Sequence, residues 1–298
     1  MPEPVIPQLL SVEQLSSMTI AQLIAFGQQH LSTVSDSAKL DVELLICFVI
    51  DKPRTYLLTW PEQTLSSAQA KDFSELLLRR IQGEPIAYIV KTREFWSLPL
   101  QVSPATLIPR PDTEVLVELV LSNHLDNLLS CLDLGTGTGA IALALASEQP
   151  QWQIDAVDFS HDAVALAKTN ASNLKLSQVN ILQSNWYSAI APDKKYDVIV
   201  SNPPYIDEQD QHLFEGDVRF EPKSALVAAD NGLKDIKIIA QQAVEHFKAI
   251  GHLYLEHGFE QALAVQNILI DLGYEKINTY KDYNDNDRIT YGCFITSK

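Results

Sequence analysis

Asp133-Leu134-Gly135-Thr136-Gly137-Thr138-Gly139, preceded by Cys131-Leu132 and followed by Ala140-Ile141-Ala142-Leu143-Ala144-Leu145-Ala146, decides the fold. An apolar run that ends in closely spaced glycines and continues as an alanine-rich segment reads as a strand, a tight turn and a helix start in succession. Glycine tolerates the backbone of such a turn and lets a ligand approach the main chain, while the free N–H groups of the helix start favour an anionic or carboxylate group. Gly135-x-Gly137-x-x-Ala140 also fits a dinucleotide-binding fingerprint, and a bare turn without ligand is a third reading. The loop alone does not choose between them.

Downstream of this loop, helices and strands alternate. Strands are expected at 131–134, 154–157, 179–182, 197–200 and 252–256, and helices near 112–122, from 140, from 162, near 234–248 and near 260–271. That order predicts a parallel sheet with helices on both faces and ligands beyond the carboxyl ends of the strands. Upstream, 11–83 is helical in period, with Leu23, Ile24 and Leu31, then Leu40, Leu44, Leu45 and Phe48, then Phe73, Leu76, Leu77 and Ile81 at spacings near three and four. Three to five helices are expected there, with starts at Ser35-Asp36-Ser37 and Ser66-Ser67. Between the two regions, 86–102 is aromatic and β-branched with a polar turn at Lys91-Thr92-Arg93-Glu94, which predicts one or two hairpins.

The candidate site residues all fall at predicted strand ends. Asp158 lies 23 residues after Gly135, near the roughly 20-residue spacing of an acid that grips a ribose, although it could also help cap the next helix. Trp186 follows the third strand, where its indole could cover an adenine or serve packing, and Asn185 could bond an amino group. After the fourth strand comes Asn202-Pro203-Pro204-Tyr205. The prolines fix their own φ angles and push Asn202 toward an extended backbone, which aims its carboxamide. The Asn202 oxygen can accept one N–H of a planar NH2 group and the Pro203 carbonyl the other, with Tyr205 against its face. Holding both hydrogens turns the nitrogen lone pair toward an electrophile, so the pairing of this turn with the glycine loop selects S-adenosylmethionine and methyl transfer over hydride transfer.

Composition narrows the partners. The chain has 298 residues, enough for about two domains. Its net charge of −16 argues against an affinity built on neutralising phosphates, so direct DNA binding is not expected. Cys47, Cys131 and Cys293 lie far apart without a CxxC, so neither a disulfide framework nor a metal site is indicated, and they read as buried thiols of a reduced, cytoplasmic protein. The first basic residue is Lys39, unlike a signal peptide, and no apolar run approaches the about 20 residues of a membrane helix, so a soluble protein is expected. His212 reads as a solvated loop residue.

Several further stretches carry a likeness to a known family: Asp41-x-Glu43-Leu44-Leu45, Gly83-Glu84-Pro85-Ile86-Ala87-Tyr88-Ile89, Leu107-Ile108-Pro109-Arg110-Pro111-Asp112-Thr113-Glu114, and Glu221-Pro222 with Ala225-Leu226. Together with the glycine loop and Asn202-Pro203-Pro204-Tyr205-Ile206, over nearly the whole length, the chain resembles the bacterial release-factor glutamine methyltransferases, the HemK/PrmC family. The resemblance implies an α/β, Rossmann-like S-adenosylmethionine-dependent methyltransferase domain at 109–298, an N-terminal helical substrate-recognition domain at 1–84 and a β-hairpin connector at 85–108. It implies methylation of the side-chain amide nitrogen (N5) of the glutamine in the Gly-Gly-Gln loop of class I peptide chain release factors. Gly135, Thr136, Gly137, Thr138, Gly139, Asp158 and Trp186 would hold the cofactor, and Asn202 would touch both cofactor and substrate. Pro203, Pro204 and Tyr205 would complete the glutamine pocket. Arg110, Asp112 and Glu114 would form a lip of the site or an ordinary ion-pair cluster. The 281–288 stretch stands where similar proteins often carry glycine, and its Asn and Asp residues are expected to preserve the turn. A glutamine methyltransferase of a large-subunit ribosomal protein would use the same pocket. A DNA adenine methyltransferase would also grip an NH2 group but must flip its base and bind phosphates. A noncatalytic binding module could keep the fold.

Overall fold

The computed structural model describes residues 9–124 and 128–296. The chain divides into two compact units, one running to Lys91 and including Phe214–Phe220, the other comprising Thr92–Leu213 and Glu221 onward.

The first unit is helical: α1 (Val12–Ser17), α2 (Ile20–Leu31), α3 (Ala38–Ile50), α4 (Arg54–Thr59), α5 (Ser67–Ile81) and α6 (Ile86–Val90). Three of these helices start alike. The side chains of Ser11, Thr19 and Ser66 each accept from the backbone N–H three residues on, and Gln14, Gln22 and Gln69 return a bond to the cap. Each such box satisfies two donors that a helix start otherwise leaves open. Ser37 also precedes a helix, α3, but its hydroxyl donates to Asp41 (3.0 Å) instead of accepting from the backbone. Leu15, Leu23, Leu45, Phe73 and Leu77 form the core. Beside it Arg80, only 5% exposed, donates from Nε to Asp41 Oδ2 (2.7 Å), and from Nη1 to the Glu84 carbonyl (3.1 Å) and Asp217 Oδ1 (3.4 Å). Burying charges costs several kcal/mol per ion, which this set of acceptors offsets.

One expectation fails at the end of this unit. Ile86–Val90 is a five-residue helix rather than a strand. Pro85 supplies a preset φ at its start, its carbonyl accepts from the N–H groups of Tyr88 and Ile89, and Ala87, Tyr88 and Ile89 are buried. Helical burial outweighs the β preference of these side chains. Lys91, at φ +59°, ends the helix.

The second unit opens with a single antiparallel hairpin, β1 (Thr92–Phe95) and β2 (Leu98–Gln101). Its turn is Trp96-Ser97, not Lys91–Glu94, and both turn residues have positive φ, as the twist of a two-residue hairpin requires. The Trp96 N–H donates to Glu114 Oε1 and its indole N–H to Glu148 Oε1, each at 2.8 Å, which holds Trp96 in a backbone region that bulky residues rarely adopt. Then follow α7 (Glu114–Asn123), β3 (Ser130–Leu134), α8 (Ala140–Glu148), β4 (Gln153–Asp158), α9 (His161–Asn173), β5 (Val179–Gln183), β6 (Tyr196–Ser201), α10 (Lys234–His246), β7 (Phe247–Glu256), α11 (Ala262–Asp271), β8 (Glu275–Lys281) and β9 (Asp287–Ile295).

The sheet order is β5-β4-β3-β6-β7-β9-β8. The first five are parallel, but β9 runs antiparallel to both β7 and β8, so the sheet is mixed rather than parallel. The chain between β8 and β9 turns back directly, without the crossover helix that a parallel partner requires. Its turn holds Asp285 at φ +65°, the left-handed position that Asp can fill in place of glycine. Side chains alternate between two cores: Cys131, Ile154, Val198 and Tyr254 enter one, and Leu132, Val157, Ile199 and Leu253 the other. Cys131 and Cys293 are buried, while Cys47 is partly exposed. Among the described residues, no helix is long and apolar enough to cross a membrane, and no group of three or more His, Cys, Asp or Glu is placed to hold a metal ion.

Candidate active site

Strand register sets the chemistry on one level. Leu134 pairs with Val157 of β4 and Ser201 of β6, and Ser201 pairs with Leu255 of β7. The next residues, Gly135, Asp158, Asn202 and Glu256, therefore leave four strands in a row. The strand order also reverses at β3, so the crevice beyond β3 and β6 is where an open α/β sheet binds ligands.

Gly135, Gly137 and Gly139 have φ of +73°, +57° and +86°. A Cβ on Gly139 would stand 2.9 Å from Leu143 Cδ1, so this position needs glycine for space as well as for conformation. The loop is pinned from below by Asp133, whose Oδ2 accepts from the Thr136 hydroxyl (2.6 Å) and the Ala142 N–H (3.3 Å). Asp133 Oδ1 has no partner among the described residues, and burial pushes the carboxyl up to about 7.

Asp158 accepts from the Gly137 N–H (2.9 Å) on one oxygen and the Ser160 N–H (2.8 Å) on the other. Ser160, not Asp158, caps α9, accepting from the Ala163 N–H. A carboxylate offers about four acceptor sites, so two backbone bonds leave room for a vicinal diol. Burial raises the Asp158 carboxyl above its ordinary range, against the pull of its two N–H donors. Trp186, at φ +48°, places its ring 3.4 Å from where a Gly135 Cβ would be, and its side chain hydrogen-bonds Asp235.

On the β6 side, Asn202 Nδ2 donates to the Thr113 hydroxyl (3.2 Å), and Tyr205 donates to Glu256 Oε1 (3.4 Å). Glu256 is buried and its carboxyl is pushed up to about 7 by burial, opposed by the Thr113 hydrogen bond and the Arg288 charge. Burial and the Glu256 charge likewise push the Tyr205 phenol up.

A cavity of about 370 Å³ joins the two sides. Of the candidate residues, Gly135, Thr136, Gly137, Thr138, Asp158, Trp186, Asn202 and Pro204 line it, whereas Gly139, Pro203 and Tyr205 do not. Gly139 serves the turn into α8, Pro203 is buried, and Tyr205 packs against the core beneath the turn. Arg110 lines the cavity and donates to buried Glu221 Oε2 (2.7 Å), so it combines the roles of lip and ion-pair partner. Glu114 serves the hairpin turn, and Asp112 lies near Asp282 and Arg288. His212 is exposed, its ring against Asp210. Sequence reasoning missed Thr106 and Asp235 in the lining and Glu256 behind Tyr205. A signal for Glu256 existed, since a carboxylate at the end of an apolar strand stood in plain view.

The residues fit a nucleoside bearing a short charged chain: a glycine cradle, a carboxylate with spare acceptors, an indole wall and a cavity of matching kind. Two family models match, the PrmC N-terminal domain over residues 22–90 and the methyltransferase small domain over 112–256. The chain is 55% identical to a release factor glutamine methyltransferase of Shewanella oneidensis over 93% of this chain and 96% of that one. It is 53% identical to its Escherichia coli counterpart over 87% and 94%. Among solved structures it shares a fold with a methyltransferase from Pyrococcus furiosus (19% identity, TM-score 0.50, 76% of this chain and 100% of that one). It also shares one with the T. Thermophilus 16S rRNA methyltransferase in complex with AdoMet and guanosine (17%, TM-score 0.52, 67% and 49%). The chain belongs to the release factor glutamine methyltransferase family and is an S-adenosylmethionine-dependent enzyme.

Proposed function

We propose that this enzyme methylates the side-chain amide nitrogen of the glutamine in the Gly-Gly-Gln loop of class I peptide chain release factors, in the cytoplasm and without metal or DNA binding. The observation that carries the reading is the shared cavity of Asn202 with the glycine loop and Asp158. Gly135 through Gly139, Asp158 and Trp186 hold the cofactor. Asn202, Pro203, Pro204 and Tyr205 form the glutamine side, Tyr205 by supporting the turn. Residues 1–84 serve as the substrate-recognition domain and 85–108 as the connector.

S-adenosylmethionine supplies a methyl group on a sulfonium, an electrophile strong enough for a weak nucleophile. An amide nitrogen shares its lone pair with its carbonyl, so the chain's task is orientation, bringing reacting atoms to within about 3–3.5 Å in line. Asn202 Oδ1 accepts one hydrogen of the glutamine NH2, and the Pro203 carbonyl accepts the other. The nitrogen would gain the methyl as the sulfonium's carbon–sulfur bond breaks to leave a neutral thioether, and would release one proton to water, so no side-chain base is required.

Labelled S-adenosylmethionine, offered with purified release factor, ribosomal protein and DNA in parallel, tests the reading. Label on the release factor is expected. Label on ribosomal protein or DNA alone would move the same pocket to another substrate, and no label on any of them would favour a noncatalytic module.

A further inference from the structure

We propose that Thr113 and Glu256 are positioning residues for Asn202, fixing which end of its carboxamide faces the reacting glutamine. The proposal rests on the reading of Asn202 as the amide-holding residue. Thr113 is 4% exposed and has one hydroxyl hydrogen for two polar neighbours, the Asn202 amide and the Glu256 carboxyl. An ionised carboxylate only accepts, so it takes that hydrogen. The Thr113 oxygen then has only lone pairs to offer, and Asn202 must present Nδ2 to it, as it does at 3.2 Å. Its Oδ1 is thereby turned the other way, as the acceptor that a substrate NH2 needs. A flipped amide would set oxygen against oxygen with no hydrogen between them.

Glu256 supports the other end of the same turn, accepting from the Tyr205 hydroxyl. One buried carboxylate thus fixes Asn202 through Thr113 and Tyr205 directly. It is faced by Thr113 and Tyr205 as donors, by Arg288 as a cation held by Asp282 (3.0 Å), and by Asp112 as a like charge. Its Oε2 has no partner among the described residues, and its carboxyl sits at about 7. A protonated Glu256 can donate to Thr113, which frees the Thr113 hydrogen to point at Asn202 and permits either amide orientation. The orientation is enforced only on the alkaline side of this titration.

Thr113→Val, Thr113→Ser and Glu256→Gln are compared with wild type by single-turnover methyl transfer to purified release factor, across about three pH units centred on 7. Thr113→Val is expected to lower the rate roughly 10- to 100-fold while S-adenosylmethionine affinity stays within about threefold, and Thr113→Ser to recover it to within about twofold. The wild-type rate should rise with pH through about 7, and Glu256→Gln should abolish that rise. A wild-type rate in Thr113→Val, an equal loss in Thr113→Ser, or a persistent rise in Glu256→Gln overturns the proposal. If wild type labels no release factor, the functional reading fails instead. The Asn202 side-chain amide resonances then decide the relay, which requires them to titrate near 7 in wild type and not in Glu256→Gln.

Discussion

Asp41 in the helical unit lies 2.7 Å from the Arg80 guanidinium, whereas Asp133 and Glu256 at the strand ends of the sheet unit each keep one buried oxygen without a partner among the described residues. Among the described residues, Asp158, in the same row, is held by backbone N–H groups alone. The helical unit buries carboxylates beside cations, which holds its helices together. The sheet unit has such pairs as well, Arg110–Glu221 and Arg288–Asp282, but at its strand ends Asp133, Asp158 and Glu256 are carboxyls that burial raises. Carboxyls raised in this way cluster at functional sites, though structural networks raise them too. The contrast sets a carboxylate paired within the fold apart from carboxyls that burial raises beside the glycine loop and the Asn202 turn.

Breaking the helical pair should have the largest effect, and on stability alone. Arg80→Met leaves Asp41 buried without its cation and should lower the unfolding free energy of the helical unit by about 3–5 kcal/mol in urea titration, with S-adenosylmethionine affinity unchanged. A weakened cofactor affinity would blur the distinction. Asn202→Ala should do the reverse, lowering single-turnover methyl transfer at least about thousandfold with the thermal midpoint nearly unchanged. Retained transfer would remove Asn202 from the reaction.

The next test uses Glu256 itself. Its folded carboxyl sits at about 7, above the ordinary 4.5, so its contribution to stability is fully present below 4.5 and is lost as pH rises through 7. Glu256→Gln has no such loss. The stability of the variant relative to wild type should therefore climb by up to about 3 kcal/mol between pH 4.5 and 8, measured by chemical unfolding at each pH. A flat difference would place Glu256 with the ordinary ion pairs. The smallest effect is expected for Asp158→Asn, which keeps an acceptor but loses the charge and should weaken S-adenosylmethionine binding about 10-fold by calorimetry.

What the sequence made legible was local. The glycine loop and Asn202 are announced by their immediate neighbours and Asp158 by its distance from Gly135, and the alternation of helical and strand patterns is enough to place them at strand ends. Several residues that line the cavity could thus be brought together from motifs and spacing. Pairings made across the fold were not legible. Thr113, at the start of α7, meets Asn202, 89 positions away at the end of β6, and Glu256 joins them from β7. The final hairpin was hidden for a different reason. Glu275–Lys281 is an edge strand whose side chains are largely exposed, so it lacks the apolar run that betrays a buried strand. At Ile86–Val90 the β-branched and aromatic residues misled because Pro85 sets a helix start that propensity does not register.

Mass-spectrometric mapping of a release factor incubated with this enzyme and S-adenosylmethionine tests the central claim most directly. The account predicts a single added methyl on the side-chain amide of the glutamine in the Gly-Gly-Gln loop, absent when Asn202→Ala replaces the wild-type enzyme. A methyl on any other residue, or one on that glutamine undiminished by Asn202→Ala, would contradict it.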